Sequence, residues 1–306
     1  VNGGVDISAA FSALPFDHLI FTGSGRVGRM VMRAAAENLT PVTLELGGKS
    51  PALVHESFPI ARAADRICSG KFWNAGQTCV APDYALVPAA SRDQFLAEAI
   101  AVVTRRLPSL VTNPDYTRMV NRAGWERMNA LVEDARAKGA KVVQINAASE
   151  AVNAENKAFP PTLIVDVRED MRVMQEEIFG PILPIVTCQS LDDGIRYIND
   201  RDRPLALYYF DYDSARVQQV LERTTSGGVT VNDCIFHLPQ NNLPFGGVGP
   251  SGMGAYHGID GFNAFSKRKG VMMMSRLVGW VLATFLKPPY SKWSDRFISL
   301  MIWRRA

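Results

Sequence analysis

The chain is 306 residues long, 47% apolar and 21% charged, a globular composition with enough apolar material for a large core and room for one large or two ordinary domains. A net charge of +3 is too small to argue for nucleic acid as a partner. The four cysteines, Cys68, Cys79, Cys188 and Cys234, form no CxxC pair and no metal-ligand spacing, so they read as reduced thiols of a cytoplasmic protein.

The opening Val1-Asn2-Gly3-Gly4 has neither an initiating Met nor a basic-then-apolar leader, and it reads as a cut made inside a domain. Residues 18–21 predict a short buried strand and 22–25 its turn. Residues 26–38 predict a helix with Val27, Met30, Val31 and Ala34 on one face, and 41–44 a second strand. A strand at 52–54 and a helix at 60–68 follow, then a strand at 84–87 and helices at 92–105 and 121–138, the last closed by Gly139. Further strands are expected at 141–145, 162–165, 182–186, 205–210 and 229–231, with helices at 191–199 and 214–223. Strands alternating with helices imply an α/β fold built on a mostly parallel sheet covered on both faces.

Gly23-Ser24-Gly25-Arg26-Val27-Gly28 matches GxGxxG between a strand and a helix, with Glu45 about twenty residues further on. Backbone N–H groups at such a helix start favour a pyrophosphate. A tight turn with no ligand explains the same glycines. If the fingerprint holds, Glu45 binds a ribose; if not, Glu45 is free for catalysis.

The run KFWNAGQTCVAP (71–82) is small and amide-rich, follows a predicted helix and contains one cysteine. LELGGK (44–49) ends an apolar strand with a carboxylate and two glycines. We read Cys79 as a nucleophile, because a thiolate attacks carbonyl carbon near neutral pH, and Glu45 as the carboxylate that activates water. Cys68 reads as core, Cys188 and Cys234 as structural strand ends, Glu176 as a structural loop residue and His257 as a hydrogen-bonded structural histidine. Gly246, Gly247, Gly249 and Gly252 read as a packing loop rather than a second phosphate cradle.

Four stretches carry a family resemblance in fixed order: TLELGGKSP (43–51), NAGQTCVAPDY (74–84), EEIFGPILPI (176–185) and LPFGGVGPSGMGAYHG (243–258). Over residues from about 5 to 275 the chain resembles the catalytic half of the NAD(P)-dependent aldehyde dehydrogenase superfamily. GQTCVAPDY and SGMGAYHG are similar to its class 3 branch, which includes fatty-aldehyde and coniferyl-aldehyde dehydrogenases. The resemblance implies Cys79 as nucleophile and Glu45 as general base, with Glu177 and Phe179 holding the nicotinamide ribose and ring of NAD or NADP. Gly23 and Ser24 match the phosphate-side turn, and the glycine fingerprint adds Gly28. Gly25 stands where the family's usual turn has Thr. Trp73, Phe236 and His237 match positions bordering the tunnel for an aromatic or long aliphatic aldehyde.

The implied organisation is a partial NAD(P)-binding domain at 1–46, a catalytic domain at 47–262 and an oligomerisation strand with an amphipathic tail at 263–306. It lacks the first half of the cofactor domain, with its adenosine contacts and an oxyanion-hole asparagine. A homodimer is the implied assembly. A non-catalytic remnant acting as a binding or assembly unit is the rival reading.

Residues 264–271 resemble the family's last strand, which pairs with a partner subunit. The apolar run 277–286 is about half the roughly 20 residues a membrane span needs. Trp293, Phe297, Ile298, Leu300, Met301 and Trp303 beside Arg296, Arg304 and Arg305 predict a basic amphipathic helix. It suits either a peripheral membrane contact or docking on the partner subunit.

Overall fold

The computed structural model describes residues 2–303. Two compact units divide the chain, one ending at Phe265 and one beginning at Ser266. In chain order the first unit carries α1 (Val5–Ser12), β1 (Leu19–Thr22), α2 (Gly25–Ala36), β2 (Val42–Glu45), β3 (Pro51–Val54), α3 (Ile60–Phe72) and β4 (Tyr84–Pro88). It continues with α4 (Arg92–Arg106), α5 (Arg122–Ala137), β5 (Lys141–Gln144), β6 (Thr162–Val165), α6 (Arg172–Gln175) and β7 (Ile182–Cys188). Then come α7 (Leu191–Asn199), β8 (Ala206–Phe210), α8 (Ser214–Arg223), β9 (Gly228–Val231), β10 (Gly252–Met253) and α9 (Gly258–Ala264).

The main sheet has seven strands in the order β5-β6-β7-β4-β3-β8-β9, parallel throughout except where β5 runs antiparallel to β6 at the edge. Strands β4 and β8 are apolar along nearly their whole length because helices cover both faces. On one face α3 and α4 pack Ile67, Phe95 and Val103 against Ala85, Val87 and Tyr208. On the other α5, α7 and α8 pack Leu131, Ile195 and Val220 against Leu53, Leu86 and Leu207. Ser190 and Asp213 cap α7 and α8 through their side chains, which fixes where those helices begin. Gly139, with φ of 91°, ends α5 as expected.

A second, smaller sheet orders β1-β2-β10. Its first two strands are parallel and α2 connects them, while β10 returns from late in the chain and runs antiparallel to β2. Two glycine-driven contacts allow that return. A Cβ at Gly252 would overlap the carbonyl of Leu44, and one at Gly246 the carbonyl of Gly254. The glycine run is thus a loop folded tightly on itself and on β2.

The second unit holds α10 (Arg276–Leu286) and α11 (Lys292–Trp303), with Phe285 stacked on Phe297 at 5.2 Å between centroids. Leu277, Trp280, Trp293, Leu300 and Met301 are exposed, and Arg296 lies over the Trp293 ring. Arg304 and Arg305 of the expected basic face lie outside the described residues. Among the described residues no helix is long and apolar enough to cross a membrane. The strand expected at 264–271 is not formed: α9 runs to Ala264, and the segment that follows is irregular up to α10. A strand needs a neighbour to bond, and among the described residues this segment pairs with no strand.

Candidate active site

Three of the loops that carry the motifs enter the main sheet from one side. Residues 46–50 precede β3, 76–83 precede β4 and 176–181 precede β7, so the motifs gather at the N-terminal edge of the sheet. Glu45 ends β2 of the small sheet.

Cys79 owes its placement to a strained loop. After α3 the chain passes Asn74, Ala75 and Gly76 at φ of 50°, 50° and 71°. Asn tolerates the left-handed region, but Ala pays about 1–2 kcal/mol there, a cost typical of functional loops. A Cβ at Gly76 would overlap the Gly180 carbonyl, so the cysteine loop and the 176–181 loop touch backbone to backbone. The amides of the motif hold the bend. Asn74 Nδ2 donates to the Gln77 carbonyl at 3.0 Å, and Gln77 bridges out to Arg118 O at 3.1 Å and the Val120 N–H at 2.9 Å.

Cys79 is half-buried, and all four cysteines are free thiols. Burial, then the negative charge of Glu177, pushes its thiol up to about 11; the N–H groups of Cys79 and Val80 favour the thiolate, and Glu45 opposes it. Cys68 and Cys188 are buried as expected. Cys234 does not end a strand: it is buried three residues past β9, against Gly70.

Both neighbours of Glu45 in the small sheet hold its backbone. Its carbonyl accepts from the Gly23 N–H at 3.0 Å, and it registers with Thr22 on β1 and Gly252 on β10. The residue is 3% exposed, and neither carboxylate oxygen has a hydrogen-bond partner among the described residues. Burial raises its pKa to about 8. A buried carboxylate left without donors is costly to ionise and poised to accept a proton.

Glu177 fills the space above Gly47, where a Cβ would overlap its carboxylate, and accepts from the Gly48 N–H. Burial first, then Asp83, raises its pKa to about 7, against the pull of Gly48, Arg127 and Lys71. Phe179 is 43% exposed at φ of 46°, a second strained residue beside the cysteine loop. Glu176 pairs instead with Arg172 and Arg127 at the surface.

A clamp absent from the sequence reading fixes this loop. Lys49 and Asp83 form a buried ion pair. Lys49 Nζ also donates to the carbonyls of Val173 at 2.7 Å and Glu176 at 3.1 Å, while Asp83 accepts from the Ile178 N–H at 3.0 Å. From α5, Arg127 donates to the carbonyls of Ile178 and Glu177. Breaking a buried pair by removing one charge strands the other. We expect Asp83→Asn to cost about 3 kcal/mol of stability in urea unfolding and to loosen residues 173–178 in hydrogen exchange, with Lys49→Met,Asp83→Asn less destabilised than the single variant.

The glycine turn divides its duties. Ser24 caps α2, its Oγ accepting from the Val27 N–H at 3.4 Å. Gly23 sits under the Phe21 ring. Gly28 is buried in the first turn of α2, where a Cβ would meet Leu46 at 2.7 Å, so packing of the helix on the residue that follows β2 accounts for that glycine. A Cβ at Gly25 would make only ordinary contacts, with Arg29 Nη1 at 3.6 Å and Pro250 O at 3.9 Å, in keeping with the Thr of the related turn.

Tyr256 was missed by the sequence reading: burial first, then the charges of Glu45 and Cys79, raise its pKa, so it borders the pair. His257 corrects an expectation, since its buried Nδ1 has no hydrogen-bond partner among the described residues and its ring stacks on Phe245 at 5.0 Å. His237 also differs. It is buried, bonded to Thr230 Oγ1 at 2.8 Å and packed near Tyr208 and Phe245, whereas Trp73 and Phe236 are exposed.

At the junction of the two sheets Cys79 thus lies in the field of Glu177 and Glu45, and Tyr256 in the field of Glu45 and Cys79. A thiol beside a donor-starved carboxylate suits covalent attack on a carbonyl followed by hydrolysis. The model of the aldehyde dehydrogenase family matches residues 1–271, and the chain belongs to that family. It is 52% identical over 299 residues to a probable coniferyl aldehyde dehydrogenase of Caulobacter vibrioides, covering 97% of this chain and 61% of that protein. It is 43% identical over 303 residues to aldehyde dehydrogenase family 3 member A2 of Rattus norvegicus, covering 97% and 60%. The class 3 resemblance therefore holds. The substrate-bound AldH of Staphylococcus aureus superposes with a TM-score of 0.82 at 40% identity, covering 94% of this chain and 64% of that one. Solved structures of the same fold include complexes with NAD+ and with NADP. The chain spans about 60% of the length of the curated relatives it matches.

Proposed function

We propose that the whole protein oxidises an aldehyde to its carboxylic acid with NAD or NADP, through a covalent adduct on Cys79. The observation that carries this is the orphaned, buried Glu45 carboxylate within the field of the Cys79 thiol. Cys79 Sγ adds to the carbonyl carbon, and in this reading the N–H of Cys79 donates to the oxyanion. Loss of a hydride from that tetrahedral carbon leaves a thioester on Sγ. Glu45 takes a proton from a water, which attacks the thioester and frees the acid and the thiolate.

The chain's residues fit a nicotinamide cofactor. Glu177 offers a carboxylate for ribose hydroxyls, Phe179 an exposed ring, and Gly23 and Ser24 the start of α2 for a phosphate, with Gly28 shaping that turn from beneath. Bound there, the cofactor supplies the hydride acceptor.

An aromatic aldehyde of the coniferyl type suits the exposed Trp73 and Phe236, and medium or long aliphatic aldehydes come next. Assayed with both cofactors, the whole protein is expected to convert coniferyl aldehyde to its acid; no turnover with any aromatic or aliphatic aldehyde would count against this reading and for an assembly unit. A cytoplasmic homodimer completes the proposal, residues 264–271 gaining their strand from the partner. The tail is either docked on that partner or set against an anionic membrane. Deleting residues 276–306 separates the two: unchanged liposome co-sedimentation excludes the membrane contact, and unchanged dimer mass in light scattering excludes docking.

A further inference from the structure

Tyr208 is fully buried in the middle of β8, paired with Ala52 on β3 and Thr230 on β9, so its side chain is rooted in a strand held on both sides. A buried hydroxyl needs partners. This one donates to the carbonyl of Val80, the residue after the nucleophile. Val80 is fully buried too, so bulk water does not take over that carbonyl if the hydroxyl is removed. The Ala81 N–H donates to the Thr78 carbonyl at 2.9 Å, which makes Cys79 and Val80 the two central residues of a β-turn. The N–H groups of both favour the thiolate. Fixing the carbonyl at one end of Val80 limits how far the N–H at its other end can swing.

The Tyr208 oxygen also accepts from the Ile235 N–H, in the loop after β9. There the Phe236 N–H donates to the Cys234 carbonyl at 2.8 Å around Ile235 at φ of 70°, a γ-turn of the rare, strained kind. A β-branched residue at positive φ persists only where its surroundings hold it. The next residue, Phe236, is the exposed ring assigned above to the aldehyde. One turn carries the nucleophile and the other leads into Phe236, and both are bonded to one oxygen on a rigid strand.

We propose that the Tyr208 hydroxyl is a positioning group that ties the Cys79 turn to the Ile235 turn, and so keeps the nucleophile in register with what Phe236 holds. The tie is a matter of hydrogen bonds alone; its use in placing an aldehyde before Sγ rests on the function proposed above. Tyr208 acts through Val80 and Ile235, not on the substrate.

Tyr208→Phe removes the oxygen and keeps the ring that packs in the core. Hydrogen exchange of the chain as it stands, read by mass spectrometry, is the test. Residues 76–82 and 232–238 should both exchange at least about tenfold faster in the variant, while β6 and β7 keep their wild-type rates. Backbone opening is what is read, so the charges that Glu45 and Glu177 place on Cys79 do not enter. If Tyr208→Phe does not fold, Tyr208→p-aminophenylalanine, which returns an N–H donor to the same ring position, should fold and hold both segments at wild-type rates. Unchanged exchange in Tyr208→Phe, loosening of one segment alone, an increase spread evenly over the sheet, or a p-aminophenylalanine form that does not hold both turns overturns the proposal.

Activity of the whole protein forms a separate arm. There Tyr208→Phe should lower kcat for aldehyde oxidation by about 10- to 100-fold and leave KM for NAD+ within about twofold, as misplacement of a reacting group does. A variant whose turns are loosened but whose kcat is unchanged overturns the positioning role. A wild type without turnover counts against the function proposed above, and the exchange rates still decide the tie.

Discussion

Cys79→Ala in the whole protein should lower aldehyde-dependent reduction of NAD or NADP by at least about 10^4-fold, the usual size of loss when a covalent nucleophile is removed. No other thiol stands ready to replace it. Cys68, Cys188 and Cys234 are buried, and burial raises all three thiols, Cys68 to about 12 and Cys188 to about 11. Cys79 is the half-buried one, and only its sulfur lies in the field of Glu45 and Glu177 together. The variant should remain folded, because Ala fills the site without a new clash and the loop is held by Asn74 and Gln77. A Cys79→Ala protein that still oxidises aldehydes within tenfold of wild type would mean that hydride leaves from a non-covalent complex and that the cysteine is structural.

Glu45→Gln should separate the two halves of the reaction. Hydride loss needs only the thiol adduct, so the variant should give a burst of reduced cofactor close to one equivalent per site and then stall, its steady rate falling by about 10^2 to 10^4-fold. The same substitution has a stability signature. Glu45 ionises at about 8 in the folded chain, against 4.5 for the unperturbed group. The folded state therefore keeps a proton that the unfolded state releases, and stability falls as pH rises between those values, by up to a few kcal/mol. Glu177, raised to about 7, contributes in the same direction over the lower part of the window. Glu45→Gln should flatten the pH dependence of Tm and stand above wild type near pH 9. A wild-type Tm that climbs from pH 5 to pH 8 would contradict the buried, unpartnered carboxylate.

The elements most legible in the sequence were those whose signals are local. The helices at 191–199 and 214–223 match their expected bounds to the residue, and in the structure Ser190 and Asp213 cap their starts. The parallel strands were legible as short apolar runs between helices, with ends shifted by a residue or two. Strand β10 was not legible. It is two residues long, contains a glycine, and exists only because the chain returns to bond Glu45 and Leu44.

The site divides the same way. Cys79 and Glu45 stood out as residue types in unusual local company. Lys49, Asp83 and Arg127 did not, because their meaning lies in which distant carbonyl or N–H each one meets. Tyr256 stands beside His257, whose buried Nδ1 has no hydrogen-bond partner among the described residues and whose ring stacks on Phe245. Gly28 shows the limit of a motif: it matched the fingerprint, and packing against Leu46 is what requires it. The strand expected at 264–271 rested on the resemblance alone, and no strand forms over those residues.

The central claim is that an acyl group passes through Cys79, and intact mass spectrometry tests it most directly. The Glu45→Gln form of the whole protein, mixed with coniferyl aldehyde and NAD+ and quenched in acid, should gain one acyl mass. Peptide mapping should place that mass on Cys79, and hydroxylamine should remove it as it removes thioesters. No added mass, or an acyl group on any other residue, would contradict the account.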